Sequence, residues 1–159
     1  AVGGVVFIDE AYSLMGDNFG QEATNTILPM LLDYKGKMVC IAAGYPREIR
    51  QWIDTNSGLE SRFTKVIHFE DYNPDELAQI FRMKAKKDKL TLTPEAENAM
   101  RVYFTDLYNR RERNFANARE VNNYFDRVKK NQSSRLRHEM ERPDFDPASY
   151  SILLPEDMG

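Results

Sequence analysis

Residues 3–10 read Gly3-Gly4-Val5-Val6-Phe7-Ile8-Asp9-Glu10: four apolar side chains followed at once by two carboxylates. A short continuous apolar run suits a strand buried in a parallel sheet. Carboxylates at the end of such a strand stand where the phosphates of a nucleotide would be met. There Asp9 would hold the Mg²⁺ of Mg–ATP and Glu10 would polarise the attacking water, the arrangement of a Walker B strand. The pattern alone also suits an ordinary strand end, where acidic residues are common.

The loop that accompanies such a strand and cradles phosphates, Gly-x-x-x-x-Gly-Lys-Ser/Thr, has no match in the chain. Gly36-Lys37 is followed by Met38, with Leu31 in the place of the first Gly. The expectation is the second half of an ATPase domain, cut just before Walker B, and Ala1 in place of Met agrees with it. By itself such a piece should not hydrolyse ATP, because nothing in it positions the β- and γ-phosphates for Asp9 and Glu10.

The 159 residues are 42% hydrophobic and 30% charged, a globular composition with room for one modest core. No apolar run reaches the length of a membrane span and no signal peptide is visible. The one cysteine, Cys40, excludes an internal disulfide and sits in an apolar run as an inert core residue. A reducing cytoplasm is the expected setting. The net charge of −3 hides an asymmetry: residues 1–76 carry 6 basic and 12 acidic side chains, and residues 77–159 carry 16 and 13. Two subregions with different surfaces follow.

The elements that must position the carboxylates are an α/β layer. Val5–Ile8 and Val39–Ala43 read as parallel strands buried on both faces, and Val66–Phe69 reads as a third. Between the first two lies a helix with Ala23, Ile27, Leu28, Leu31 and Leu32 on one face. Pro29 inside it predicts a kink or a late start. Three strands are only part of such a layer, so a raw strand edge is expected. The second region is helical. Asn73-Pro74-Asp75-Glu76 is a capped helix start, followed by Leu77, Ile80, Phe81 and Ala85 at helical spacing. Thr93-Pro94-Glu95 starts another helix with Ala96, Met100, Tyr103, Phe104 and Leu107 as its stripe. A third runs from about Asn117 through Val121, Tyr124, Phe125 and Val128 toward Leu136. Residues 142–149 read as a loop, and Ile152–Leu154 as a short closing strand or turn. The division is then 1–72, 73–140 and 141–159.

Phe7-Ile8-Asp9-Glu10-Ala11-Tyr12-Ser13-Leu14 resembles the Walker B region of the AAA+ ATPases, and within them the branch of CbbX, the stage V sporulation protein K and EccA. Phe19–Ala23, Ala43–Pro46, Asn56–Phe63, Phe69–Tyr72 and Phe115–Arg119 follow in the family's order. The resemblance is specific across residues 3–125 and loose beyond. It implies a partial P-loop NTPase sheet subdomain followed by a helical lid. It implies ATP and Mg²⁺ as cofactors of the parent protein, with Asp9 on the metal and Glu10 on the water. Arg62, in Gly58-Leu59-Glu60-Ser61-Arg62-Phe63, is similar to the arginine finger that reaches a neighbouring subunit's γ-phosphate; without the motif it would be a surface Arg after a turn. Arg119 is similar to the sensor 2 residue of the lid, and a helix-surface Arg beside Glu120 is the other reading. Tyr45 occupies the place of sensor 1, where its hydroxyl can orient water or pack under the loop. Met15, Asp17, Asn18 and Phe19 are pore candidates on fold analogy.

The resemblance implies that the parent protein assembles as a ring, a hexamer, and remodels a protein client. A second reading is a chain without a phosphate loop that docks on an active ATPase and donates Arg62, or acts as a scaffold. A third, weaker reading places Lys84–Lys89, Arg110–Arg113 and Lys129–Arg137 on nucleic acid, but acidic residues interleave the basic ones. His68 and His138 are too few for a metal site; His68 is expected in a strand and His138 on a basic helix. Aromatic residues at 103, 104, 108, 124 and 125 recur at helical spacing and are expected in the core.

Overall fold

A computed structural model describes residues 3–16, 18–111 and 115–159. The chain forms two compact units, Ala1–Phe69 and Glu70–Gly159.

In the first unit, β1 (Val5–Ile8) and β2 (Val39–Ala42) pair in parallel, with Val5 opposite Val39 and Ile8 opposite Ala42. The crossover between them carries a 3₁₀ turn (Ala11–Met15) and α1 (Asn18–Asp33). After β2 come α2 (Pro46–Asp54) and α3 (Ser57–Arg62). The core gathers Ala11, Leu28, Trp52 and Leu59, with Ile8, Ala42 and Phe63 packed against it. Gly20 lets α1 approach the 3₁₀ turn: a Cβ there would lie 2.7 Å from the Leu14 carbonyl carbon.

Two expectations for this unit are corrected, and a third is narrowed. The strands are buried on one face, not both: Val6 and Ile8 are shielded, whereas Val5, Phe7, Val39 and Ile41 are exposed. Among the described residues the sheet has two strands, and the core described for this unit gathers on the Ile8–Ala42 side. Val66–Phe69 is extended but pairs with no strand among the described residues, so His68 is not in one; Val66 is 84% and Phe69 86% exposed. A β-branched run needs a partner edge to become a strand, and propensity alone does not supply it. Finally, α1 begins at Asn18 and runs through Pro29, so the proline does not delay its start. Cys40 is half-buried, and burial pushes its thiol up, away from the reactive thiolate.

The second unit packs α4 (Pro74–Lys87), α5 (Pro94–Asn109) and α6 (Ala118–Glu139). The capping box at α4 is complete: Glu76 N–H donates to Asn73 Oδ1 at 3.0 Å, and Asn73 N–H to Glu76 Oε2 at 2.9 Å. Leu77, Phe81 and Ala85, Ala96, Met100 and Phe104, and Val121, Phe125 and Val128 recur every three or four residues and meet in one core. Aromatic edges lock it. The Phe81 and Phe125 rings are 5.2 Å apart at 80°, and Tyr103 stacks on Tyr124 at 3.8 Å.

The C-terminal segment is part of this core rather than a loose tail. β4 (Ile152–Leu153) pairs in parallel with β3 (Thr91–Leu92), a strand too short to read from the sequence. Leu153 and Met158 are buried among the helices. Asp157, 1% exposed, accepts from Arg135 Nε and Nη2 at 2.9 Å and from Leu154 N–H at 2.9 Å. Glu139 takes Arg135 Nη1 at 3.0 Å, and these carboxylates hold the guanidinium firmly protonated.

Two outcomes follow from this packing. Removing one member of a buried ion pair strands the other. Asp157→Ala should therefore destabilise the unit by about 3 kcal/mol in urea unfolding, the low end of that effect because Glu139 still holds Arg135. The Tyr124 hydroxyl is buried and donates to Met158 O at 3.0 Å, and burial pushes its pKa up to about 12. The unfolded phenol ionises first, so the unfolded state binds fewer protons. Stability should hold below about pH 10 and fall as pH rises toward 12, and Tyr124→Phe should flatten that fall.

Candidate functional site

Parallel pairing puts the C-terminal ends of β1 and β2 side by side. Ala43 N–H donates to Ile8 O at 2.8 Å, and Ala11 N–H to Ala43 O at 3.1 Å. The chain leaving β1 as Asp9-Glu10 therefore runs beside the chain leaving β2 as Gly44-Tyr45. Both carboxylates are exposed at this edge. Asp9 Oδ1 accepts the Glu10 N–H at 3.0 Å. Glu10 itself is left-handed, with φ 48° and ψ 45°. A Glu in that region is strained, because its Cβ crowds the backbone. The bend turns the chain out of the strand and into the 3₁₀ turn.

Tyr12 is the residue that reading the sequence missed. Its hydroxyl is held above the usual phenol range by partial burial and then by the Glu10 carboxylate beside it. Its ring lies 6.4 Å from that of Tyr45. A Cβ on Gly44 would come within 2.8 Å of the Tyr12 ring, so this glycine leaves the space the ring fills. The spacing Glu10-x-Tyr12 carried the signal, but only the tight 3₁₀ turn brings the two groups together.

Tyr45 is 37% exposed and precedes Pro46 at the start of α2. Arg62 belongs to the same unit but is tied elsewhere. Its Nε donates to Leu28 O at 3.1 Å, and its Nη1 to Gly58 O at 2.9 Å and Ser61 Oγ at 3.1 Å. It thus braces α3 against α1 and borders a cleft of about 380 Å³ with Leu31, Cys40 and Phe63. Among the described residues its Nη2 carries no such bond. Arg119 lies in the second unit, exposed, in the first turn of α6. A cation there opposes the helix dipole, so helix stability does not account for it.

Phe19, a pore candidate, is 80% exposed at the start of α1, whereas Asp17 lies outside the described residues. Part of the basic stretch 110–113 lies outside them too. Lys129 pairs with Asp88 at 2.6 Å, and Lys84 and Lys129 flank the Phe125 ring at 5.3 and 5.6 Å, so these cations have partners within the fold. No group of three or more potential metal ligands occurs among the described residues, and no helix among them is long and apolar enough to cross a membrane.

The left-handed bend gives a direct test. Glycine adopts that conformation without strain and alanine does not. Glu10→Gly should unfold at higher urea than Glu10→Ala, by about 1 kcal/mol. Equal midpoints would show that the bend is not strained.

Comparison with known proteins places the chain. The AAA lid domain family matches residues 73–159. Protein CbbX of Cereibacter sphaeroides is 36% identical over 162 aligned positions, covering 99% of this chain and 52% of its own length. The chloroplastic ribulose bisphosphate carboxylase/oxygenase activase of Cyanidioschyzon merolae is 38% identical, covering 86% of this chain and 47% of its own. The ESX-1 secretion system protein EccA1 of Mycobacterium tuberculosis is 44% identical over 102 positions, 60% of this chain and 18% of its own length. The chain spans about half the length of the first two of these relatives. The lid match and the relatives that align across both units lead to one conclusion: the chain belongs to the AAA+ ATPases, in the CbbX- and EccA-like branch that carries this lid.

Proposed function

We propose that this chain supplies the hydrolytic edge and the lid of an ATP-driven ring that remodels a protein client in a reducing cytoplasm. The observation that carries the reading is the strand-end geometry: β1 and β2 deliver Asp9, Glu10 and Tyr45 to one exposed edge, with Glu10 held in a strained bend.

Mg²⁺ takes hard oxygen ligands and binds through one or two carboxylates plus phosphate and water. Asp9 fits that demand, since one of its oxygens is oriented by the Glu10 N–H and the carboxylate is open to solvent. When bound, the ion would neutralise charge building on the phosphates. Glu10 would orient and deprotonate the water, with the Tyr12 hydroxyl beside its carboxylate. Tyr45 would hold the water or the phosphate edge from the side of β2. Arg62, anchored through Nε and Nη1, would offer Nη2 to the phosphates of a neighbouring subunit. Arg119 would meet the nucleotide of its own subunit. No residue run in this chain matches a phosphate-cradling loop, so the chain alone should bind Mg–ATP poorly and turn over none.

A second reading rests on Arg62 alone, anchored through Nε and Nη1: the chain docks on an active ATPase and donates Arg62 in trans. Phosphate release decides between them. Under the first reading, protein isolated from its source hydrolyses ATP, and Arg62→Ala lowers kcat by about 10³ or more while Mg–ADP affinity changes little. Under the second, the isolated protein is silent and stimulates a partner ATPase, and Arg62→Ala abolishes the stimulation. Unchanged rates for Arg62→Ala in both assays would remove Arg62 from either role.

A further inference from the structure

Asn117 is the first residue of the turn that starts α6, and its backbone is unusual. With φ 49° and ψ −123° it occupies a region that glycine tolerates and other residues rarely adopt. Its side chain explains why an asparagine stands there. Asn117 Oδ1 accepts the Tyr72 N–H at 2.8 Å, and Nδ2 donates to Asp71 Oδ1 at 2.6 Å. Asp71 Oδ2 also lies 3.8 Å from Arg111 Nε. The bonds from Asn117 span 45 and 46 residues of sequence, and they grip the segment through which the chain enters the second unit. Immediately after it, the Asn73–Glu76 capping box fixes the same segment to α4.

The backbone of Asn117 faces the other way. Its C=O accepts the Glu120 N–H at 3.0 Å, and Ala116 O accepts the Arg119 N–H at 2.9 Å. The residue that holds the entering chain is thus two positions from Arg119 and sets the turn on which Arg119 sits. Neither bond serves the hydrophobic core of the unit, which is built from other residues.

We propose that Asn117 is a positioning residue: it couples the setting of the entering segment, Asp71–Tyr72, to the orientation of Arg119. A pull or rotation on that segment would be passed through two hydrogen bonds to the first turn of α6. The coupling to nucleotide rests on the reading of Arg119 given above, whereas the clasp itself does not.

The test has two readouts. Amide exchange is followed on the 159-residue chain. The Tyr72 N–H donates to Asn117 Oδ1, and its protection is read as a report of that bond. Asn117→Gly keeps the backbone allowed and removes the clasp; it should speed Tyr72 exchange at least tenfold and leave α4, α5 and α6 core amides unchanged. Asn117→Asp keeps an acceptor for the Tyr72 N–H but sets its carboxylate against that of Asp71, so exchange should rise less than in Asn117→Gly, while the pair Asp71→Asn with Asn117→Asp reverses donor and acceptor and should restore full protection. Unchanged Tyr72 exchange, or no rescue by the reversed pair, overturns the clasp. Mg–ADP affinity is measured on the native assembly that carries this chain. Asn117→Gly should weaken it several-fold, and adding it to Arg119→Ala should weaken it no further, because both act through one group. Losses that multiply would overturn the coupling. An Arg119→Ala protein with unchanged affinity would overturn the nucleotide reading and the coupling with it, and Tyr72 exchange would still decide the clasp.

Discussion

Parallel pairing of β1 with β2 is the constraint on which the candidate site depends. Two strands running the same way must finish at the same edge, and the register that sets Ile8 against Ala42 places Asp9-Glu10 beside Ala43-Gly44. An antiparallel pair would have sent these residues to opposite ends. The parallel arrangement needs a long crossover, and here it is the 3₁₀ turn and α1. The same crossover creates the bend at Glu10, the approach of Gly20 to Leu14, and the meeting of Tyr12 with Glu10. One topological choice thus accounts for most of the chemistry-bearing geometry in the first unit.

The two units are stabilised in different ways. The second closes its core on four sides, with three helices and the returning C-terminal segment, and it satisfies its buried charge through Arg135, Asp157 and Glu139. The first closes its core on one face of a two-stranded sheet. Val5, Phe7, Val39 and Ile41 on the other face, and Val66, Ile67 and Phe69 beyond α3, remain exposed. Apolar surface of this kind on a parallel sheet is out of keeping with the usual burial of such sheets on both faces. In the lid, the caps of α4 and α5 and the apolar stripes of all three helices agree between sequence and structure.

Much of this was legible in the residues. Asn73-Pro74-Asp75-Glu76 specified a capping box because each group needed for it is local. The stripes of α4, α5 and α6 specified their buried faces because helical period alone decides which side chains align. The apolar runs at 5–8 and 39–43 were strands because they are short and lie on either side of a helix. Val66–Phe69 misled for the complementary reason: its composition favours a strand, but a strand exists only with a neighbour to bond. β3 and β4 are two residues each and carry no period to detect.

For the site, the sequence by itself determined the chemical types and the order: two carboxylates after an apolar strand, an Arg in the run Gly58-Leu59-Glu60-Ser61-Arg62-Phe63, an Arg in the first turn of a long helix. These depend on local spacing, which the chain carries in one dimension. Only the tertiary structure decided that Tyr12 meets Glu10, that Arg62 is braced by Leu28 O, that Asp157 is buried against Arg135, and that Asn117 grips Asp71 and Tyr72. Most of those contacts join residues 22 to 46 positions apart, and the exception, Tyr12 with Glu10, depends on a left-handed bend. Their partners are fixed by the path of the backbone in space, which no local pattern of residue types encodes.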